Sequence, residues 1–251
     1  MGRAETFDVL GVKISAINLS IAERVIREMI GQRQKGYVCV APVSMVMDCQ
    51  QNPAYLDLVN RADLVTPDGM PIAWLGRWAG HKDVARTYGP DLMELLCDHG
   101  RGLQWKHFFY GATPDVCDRL ERSLKLKYPG LNVVGKISPP FTPQAMRLSD
   151  ETAALINAAR PDIIWVGLGA PKQDFWSVIN RPLLSAPVLV GIGAAFDFLS
   201  GVKPQAPGWM QKAGLEWLFR LSCEPGRLWR RYLIGNTHFL WLLFKNLFRG
   251  K

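Results

Sequence analysis

The chain has 251 residues, 48% of them hydrophobic and 21% charged, with a net charge of +8. That length and composition suit one large domain, or a domain with an appendage, and exclude a disordered chain. Five scattered cysteines without a CxxC pair read as reduced, mostly buried thiols, and "MGRAETFDVLGVKIS" lacks the apolar centre of a signal peptide, so a cytoplasmic protein is expected.

"FDVLGVKISAI" alternates weakly and reads as a strand or hairpin. "SIAERVIREMIGQRQ" has helical apolar spacing at Ile21, Val25, Ile26, Met29 and Ile30, with Ser20 as the expected N-cap. "YVCVAPV" is a buried-strand run. "SMVMDCQQNPAYLDLVNRA" is two helices broken at Pro53. "DLVTPDG" is a short strand ending in a turn, and "MPIAWLGRWAG" and "GPDLMELLCDHG" are helical. "HFFYGA" is a strand, followed by a helix capped by Thr113 with Pro114 at its first position. "LNVVGKISPPF" is a strand and "SDETAALINAAR" a helix. "PDIIWVGLGAPKQ" and "APVLVGIGAAFDF" each run from a strand through a glycine-bearing loop into a helix.

Strand and helix thus alternate as far as Ser200, which predicts an α/β fold with a mainly parallel sheet sandwiched by helices over residues 1–205. The Pro- and Gly-rich "SGVKPQAPG" then introduces a basic, amphipathic helical appendage, residues 206–251. In such sheets ligands lie beyond the carboxyl ends of the strands. Small or polar residues fall there in "APVS", "TPDG", "YGAT", "GLGAPKQ" and "GIGAAFD", making Ser44, Gly69, Gly111, Gly167, Gly169, Gly193 and Asp197 candidate substrate contacts.

In "GLGAPKQDFW", Gly167 and Gly169 free the backbone to approach a ligand, and a helix starting after Pro171 would offer its N–H groups to phosphate. Lys172 adds a charge there, and Gln173 a group able to bridge to a sugar or base. The motif is neither GxxxxGK[ST] nor GxGxxG, and an ordinary strand-to-helix turn fits it equally well. Asp68 in "TPDGMP" would project over the sheet end as a general base, although Pro-Asp-Gly is also a good β-turn. There is no DxD, and His81, His99, His107 and His238 have no metal-ligand spacing, so neither a metal nor a cofactor is expected.

From Lys203 onward the chain carries nine basic residues and two acids, Glu216 and Glu224, and so holds +7 of the +8. "WMQKAGLEWLFRLSCE" reads as an amphipathic helix, and the chain restarts helically after Pro225. On one continuous helix Arg220, Arg227 and Arg231 would share a face. Arginines interleaved with Trp, Tyr and Phe suit an interfacial helix on an anionic membrane surface. Nucleic acid is disfavoured as a partner, because "FLWLLFKNLF" would leave a large apolar surface exposed. No apolar run reaches the roughly 18 residues of a membrane span.

Six blocks, "ADLVTPDGMPIAW", "FFYGATPDV", "KYPGLNVVG", "PDIIWVGLGAPKQDFW", "VGIGAAFDFLSG" and "APGWMQKAGLEWLFRLSCEPGRLWRRYL", together resemble the WecG/TagA/CpsF family of bacterial glycosyltransferases, in order and over about residues 5–240. The resemblance implies inverting, metal-independent transfer of a sugar from a UDP-sugar to an undecaprenyl-diphosphate-linked acceptor in cell-surface polysaccharide synthesis, at the inner face of the membrane. It implies that Asp68 is the catalytic base, that Gln173 in the Ala170–Gln173 block contacts the nucleotide-sugar, and that Arg220, Arg227 and Arg230 of the appendage act on the diphosphate. The family often shows a Thr or Asn cluster after the second strand. This chain has "APVSMV", where Ser44 is the one side-chain hydrogen-bonding group of "APVS". The reaction type is therefore better defined than the donor, whether N-acetylmannosamine, its uronic acid or glucose. A homo-oligomer is left open. The competing expectations are a non-enzymatic, nucleotide-sensing peripheral membrane protein and a nucleotide-dependent oxidoreductase, the latter weakened by the missing early GxGxxG.

Overall fold

The computed structural model describes residues 4–140 and 146–249. The hairpin β1 (Thr6–Val9) and β2 (Val12–Ser15) leads into α1 (Leu19–Gly31). The cap of α1 corrects the sequence expectation: Asn18, not Ser20, is the N-cap, its side chain accepting from the Ile21 N–H. Asn18 alone has the extended backbone and the three-residue offset that bring a short side-chain oxygen onto that N–H.

The series continues with β3 (Gly36–Ala41), α2 (Val43–Gln51), α3 (Pro53–Arg61), β4 (Leu64–Pro67), α4 (Met70–Trp78), α5 (Gly89–Gly102), β5 (Lys106–Gly111), α6 (Pro114–Lys127) and β6 (Asn132–Ile137). Then follow α7 (Asp150–Ala158), β7 (Ile163–Gly167), α8 (Lys172–Asn180), β8 (Val188–Gly191) and α9 (Gly193–Leu199). Phe141, where the expected sixth strand ended, lies outside the described residues. Strands β3 to β8 form one six-stranded sheet, order β4-β3-β8-β7-β5-β6, with every pairing parallel.

The period-2 alternation of the strands divides the core. Val38, Val40, Phe109, Trp165, Val188 and Val190 pack beneath α1, α5, α6 and α9. Cys39, Ala41, Tyr110, Ile164, Val166 and Leu189 face the other layer, built from α2, α3, α4, α7 and α8. After β5 the chain moves out to β6, and after β7 it moves back to β8, so the strand order reverses between β5 and β7. A crevice beyond the carboxyl ends is expected at such a reversal. Gly111 and Gly167 stand in register there, and a Cβ on Gly111 would lie 2.5 Å from the Gly167 carbonyl carbon. Only glycine allows this approach, which leaves the crevice without a side chain at its floor.

The tail departs from the expected pair of helices. "WMQKAGLEWLFRLSCE" is broken at Gly214, whose φ is +73°, into α10 (Gly208–Lys212) and α11 (Glu216–Cys223). Pro225 then opens α12 (Pro225–Trp229), which runs through a π-helical turn (Arg230–Ile234) into α13 (Gly235–Arg249). Because α11 ends before Pro225, Arg220 does not share a continuous helix with Arg227 and Arg231, and the expected common face is not formed. Helix α13 packs on α2, and Phe239 enters the same core cluster as Met45, Cys49 and Tyr55. Leu228 is also buried, whereas Leu240, Trp241 and Phe244 face outward. Among the described residues no helix is long and apolar enough to cross a membrane. Four cysteines are buried and Cys223 is exposed.

Candidate active site

Asp68 follows the last residue of the edge strand β4, and its N–H donates to the Ala41 carbonyl at 3.2 Å, extending the ladder by one bond. Gly69, with φ +91°, turns the chain into α4. Residues 79–88 then return alongside β4: the Thr87 N–H donates to the Pro67 carbonyl at 2.8 Å, and the Ala85 N–H to the Ile17 carbonyl at 3.2 Å. This return loop carries Arg86, whose guanidinium lies 3.8 Å over the Tyr88 ring. From there Arg86 reaches the tail, donating to the Gln211 side-chain oxygen at 2.9 Å and to the Glu216 carboxylate. Arg220, one turn along α11 from Glu216, has its guanidinium 5.3 Å from the Phe198 ring.

Asp68 is half-buried at the centre of these charges. Desolvation pushes its carboxyl up to about 7 and Glu216 adds to the rise, while Arg86 and Arg220 pull it down. A carboxylate that exchanges its proton near neutrality suits general-base work, which is most effective when the pKa lies near the operating pH.

The other expected site residues fall into two groups. At the β7 and β8 loops, Gln173 is buried, and its side-chain oxygen accepts from the N–H groups of Gly169 (3.1 Å) and Gly193 (2.8 Å). Gln173 thus clasps the two glycine loops together, and a Cβ on Gly193 would press within 2.7 Å of the Gly169 nitrogen. Lys172 occupies the first turn of α8, at the carboxyl end of β7. Asp174, beside Gln173, accepts from the Tyr55 hydroxyl at 2.6 Å, and burial lifts its carboxyl to about 7. Asp197 pairs with Lys203 at 2.9 Å. In the tail, Arg227 pairs with Glu224, Arg230 lies over Trp229, and Arg231 donates to the Ser44 hydroxyl. The structure therefore brings Arg220 toward Asp68 and Arg231 onto α2, but it does not gather the four arginines into one cluster.

The sequence that builds this arrangement is matched by known proteins. The sequence model of the glycosyl transferase WecG/TagA/CpsF family aligns with residues 7–251. The chain belongs to this family. Among similar proteins, one from Bacillus spizizenii is 31% identical over 81% of this chain and 77% of its own length. Another, from Staphylococcus aureus, is 26% identical over 89% of this chain and 87% of its own length. Both carry the name N-acetylglucosaminyldiphosphoundecaprenol N-acetyl-beta-D-mannosaminyltransferase.

In this WecG/TagA/CpsF glycosyltransferase the sequence reading missed Arg86, Tyr88, Glu216 and Phe198. Arg86 and Tyr88 sit in "ARTYGP", a loop that follows no strand and so falls outside a search of strand ends. Glu216 had a visible signal: it is one of two acids among nine basic residues, and both acids turn out to be paired, Glu216 with Arg86 and Glu224 with Lys203 and Arg227. A lone acid in a basic segment marks a contact to be satisfied.

Glu216→Gln removes a like charge from beside Asp68 and releases Arg86 toward it. Both changes favour the ionised carboxylate. The acidic limb of the pH profile of kcat/KM is expected to move to lower pH by roughly one unit, in line with the usual effect of a neighbouring charge. An unmoved or alkaline-shifted limb in pH–rate measurements would remove Glu216 from the electrostatics of the site.

Proposed function

We propose that this glycosyltransferase moves an N-acetylmannosamine-type sugar from its UDP donor to an undecaprenyl-diphosphate-linked acceptor sugar, with inversion and without a metal ion. The observation that carries the reading is the position of Asp68, half-buried at the end of β4, with Arg86 of the return loop and Glu216 and Arg220 of α11 acting on its carboxyl. The relatives' printed names support the transferred sugar and the acceptor, and the β-mannosaminyl transfer in those names is what one inverting displacement on an α-linked UDP donor would give.

In this displacement the acceptor hydroxyl oxygen bonds to the anomeric carbon as the bond from that carbon to the UDP oxygen breaks. The proton passes to Asp68 and the electron pair leaves with UDP. Negative charge therefore grows on a phosphate oxygen, where cationic side chains and helix N-termini are the stabilising groups. The start of α8, with Lys172, is assigned to this work, and Arg220, on the side of the base, to the acceptor's diphosphate. An acceptor held in the bilayer requires the enzyme at its surface. The outward Leu240, Trp241 and Phe244, with Arg230 and Arg231 nearby in the chain, support peripheral attachment to the inner face of the cell membrane.

The test is a donor panel of UDP-N-acetylmannosamine, its uronic acid and UDP-glucose against one lipid-linked N-acetylglucosamine acceptor, with and without chelator. UDP-N-acetylmannosamine is expected to turn over, within a small factor in both conditions. Turnover of another donor alone would overturn the donor assignment, and loss with chelator restored by magnesium would overturn the metal-independent route.

A further inference from the structure

A cavity of about 200 Å³ opens between the end of α9 and α11. Its walls are largely hydrocarbon, from Phe198, Pro204, Phe219 and the exposed Cys223, and Arg220 is among the residues that line it. We propose that this cavity is a subsite for the first isoprene unit of the acceptor's polyprenyl chain; the inference rests on the acceptor assignment above.

Size is the first argument. Sites that enclose a ligand the size of a nucleotide-sugar usually run to roughly 300–1,000 Å³. This cavity is smaller, and suits a branched five-carbon unit appended to a larger ligand held elsewhere. The second argument is order. Arg220 borders the cavity through Phe198 and also acts on Asp68. A molecule that spans this line must present a reacting hydroxyl, then an anion, then hydrocarbon, which is the order of a sugar, its diphosphate and a polyprenol. The third is what the walls offer a polar ligand. Lys203 is engaged by Asp197 at 2.9 Å and by Glu224 at 3.5 Å, and Glu224 is further held by Arg227. These pairs tie the segment after α9 to α11 and α12 and leave Lys203 and Glu224 occupied.

The experiment has a kinetic arm and a binding arm. Two acceptors with the same sugar diphosphate are compared, one on a farnesyl chain and one on a methyl group. The wild type is expected to favour the farnesyl acceptor in KM, and Phe219→Ala to reduce that preference about tenfold or more, the usual consequence of disturbing a hydrophobic pocket. Cys223→Trp, at an exposed position that tolerates bulk, fills the cavity and should have the same effect should Phe219→Ala not fold. An unchanged preference in a folded variant overturns the proposal.

In the binding arm, Cys223 of the full chain is alkylated with a maleimide, the other four cysteines being buried. Farnesyl diphosphate, which lacks the sugar and cannot react, is expected to slow the labelling, and inorganic diphosphate and lysophosphatidylglycerol are not. Equal protection by the lysolipid would make the cavity a general acyl-chain site and overturn the assignment. Turnover without farnesyl protection would sink the subsite alone. Protection without turnover of any donor would sink the reaction assignment and leave the subsite standing.

Discussion

Asp68→Asn is expected to lower turnover by roughly 10²–10⁴-fold, the usual worth of general-base catalysis, and at the same time to stabilise the folded protein. The two effects have one cause. Folding raises the Asp68 carboxyl from about 3.9 in an unfolded chain to about 7. As pH climbs between those values the unfolded chain ionises and the native state does not, so the native state loses stability across that window; above about 7 the loss is constant. Three units would correspond to a ceiling of about 4 kcal/mol, and partial exposure of Asp68 cuts this to roughly 1–3 kcal/mol. Asparagine keeps the shape and has no proton to lose. Denaturant unfolding at pH 8 should therefore find the variant more stable, with the difference closing by pH 4. UDP binding should be largely retained. Near wild-type turnover would end the assignment of Asp68 as base. A loss of turnover accompanied by lower stability would make Asp68 a structural residue of the β4 turn.

The sheet was legible because several helices between its strands are punctuated in the sequence: Thr113 and Pro114 before α6, Pro53 between α2 and α3, Pro171 before α8. Local chemistry of this kind is written in adjacent residues. The position of Asp68 at the end of a strand was legible for the same reason, although its Pro-Asp-Gly setting fitted an ordinary turn as well as a general base. The rest of the site was not. Arg86 and Glu216 are 130 residues apart, and neither has a motif of its own. Their meeting depends on where residues 79–88 return along β4 and on how α11 folds back over the sheet. Gln173 shows the converse. Its place in "APKQ" pointed to a ligand, but a buried amide between two loops whose N–H groups lack strand partners is drawn to them first.

Removal of residues 208–251 is expected to abolish turnover even with a short-chain, water-soluble acceptor. If the tail were only a tether, a soluble acceptor would restore the rate. Helix α11 carries Arg220 and Glu216, whose charges act on Asp68, and Arg86 holds Glu216 together with Gln211 of α10. Losing one electrostatic group of this kind commonly costs about 10²–10³-fold, and the truncation takes the whole helix. Stability should fall as well. Phe239 and Leu228 are buried, and truncating a buried Phe to Ala typically costs about 3–5 kcal/mol, so the shortened chain would expose the α2 surface that α13 covers. Two narrower variants separate these losses. Arg220→Ala should leave the unfolding midpoint nearly unchanged and lower the rate with soluble acceptor. Trp241→Ser with Phe244→Ser, on the outward face of α13, should keep that rate and weaken binding to anionic vesicles. Full activity of Arg220→Ala with soluble acceptor would reduce α11 to a tether, and vesicle binding undiminished in the double variant would move the membrane contact off α13.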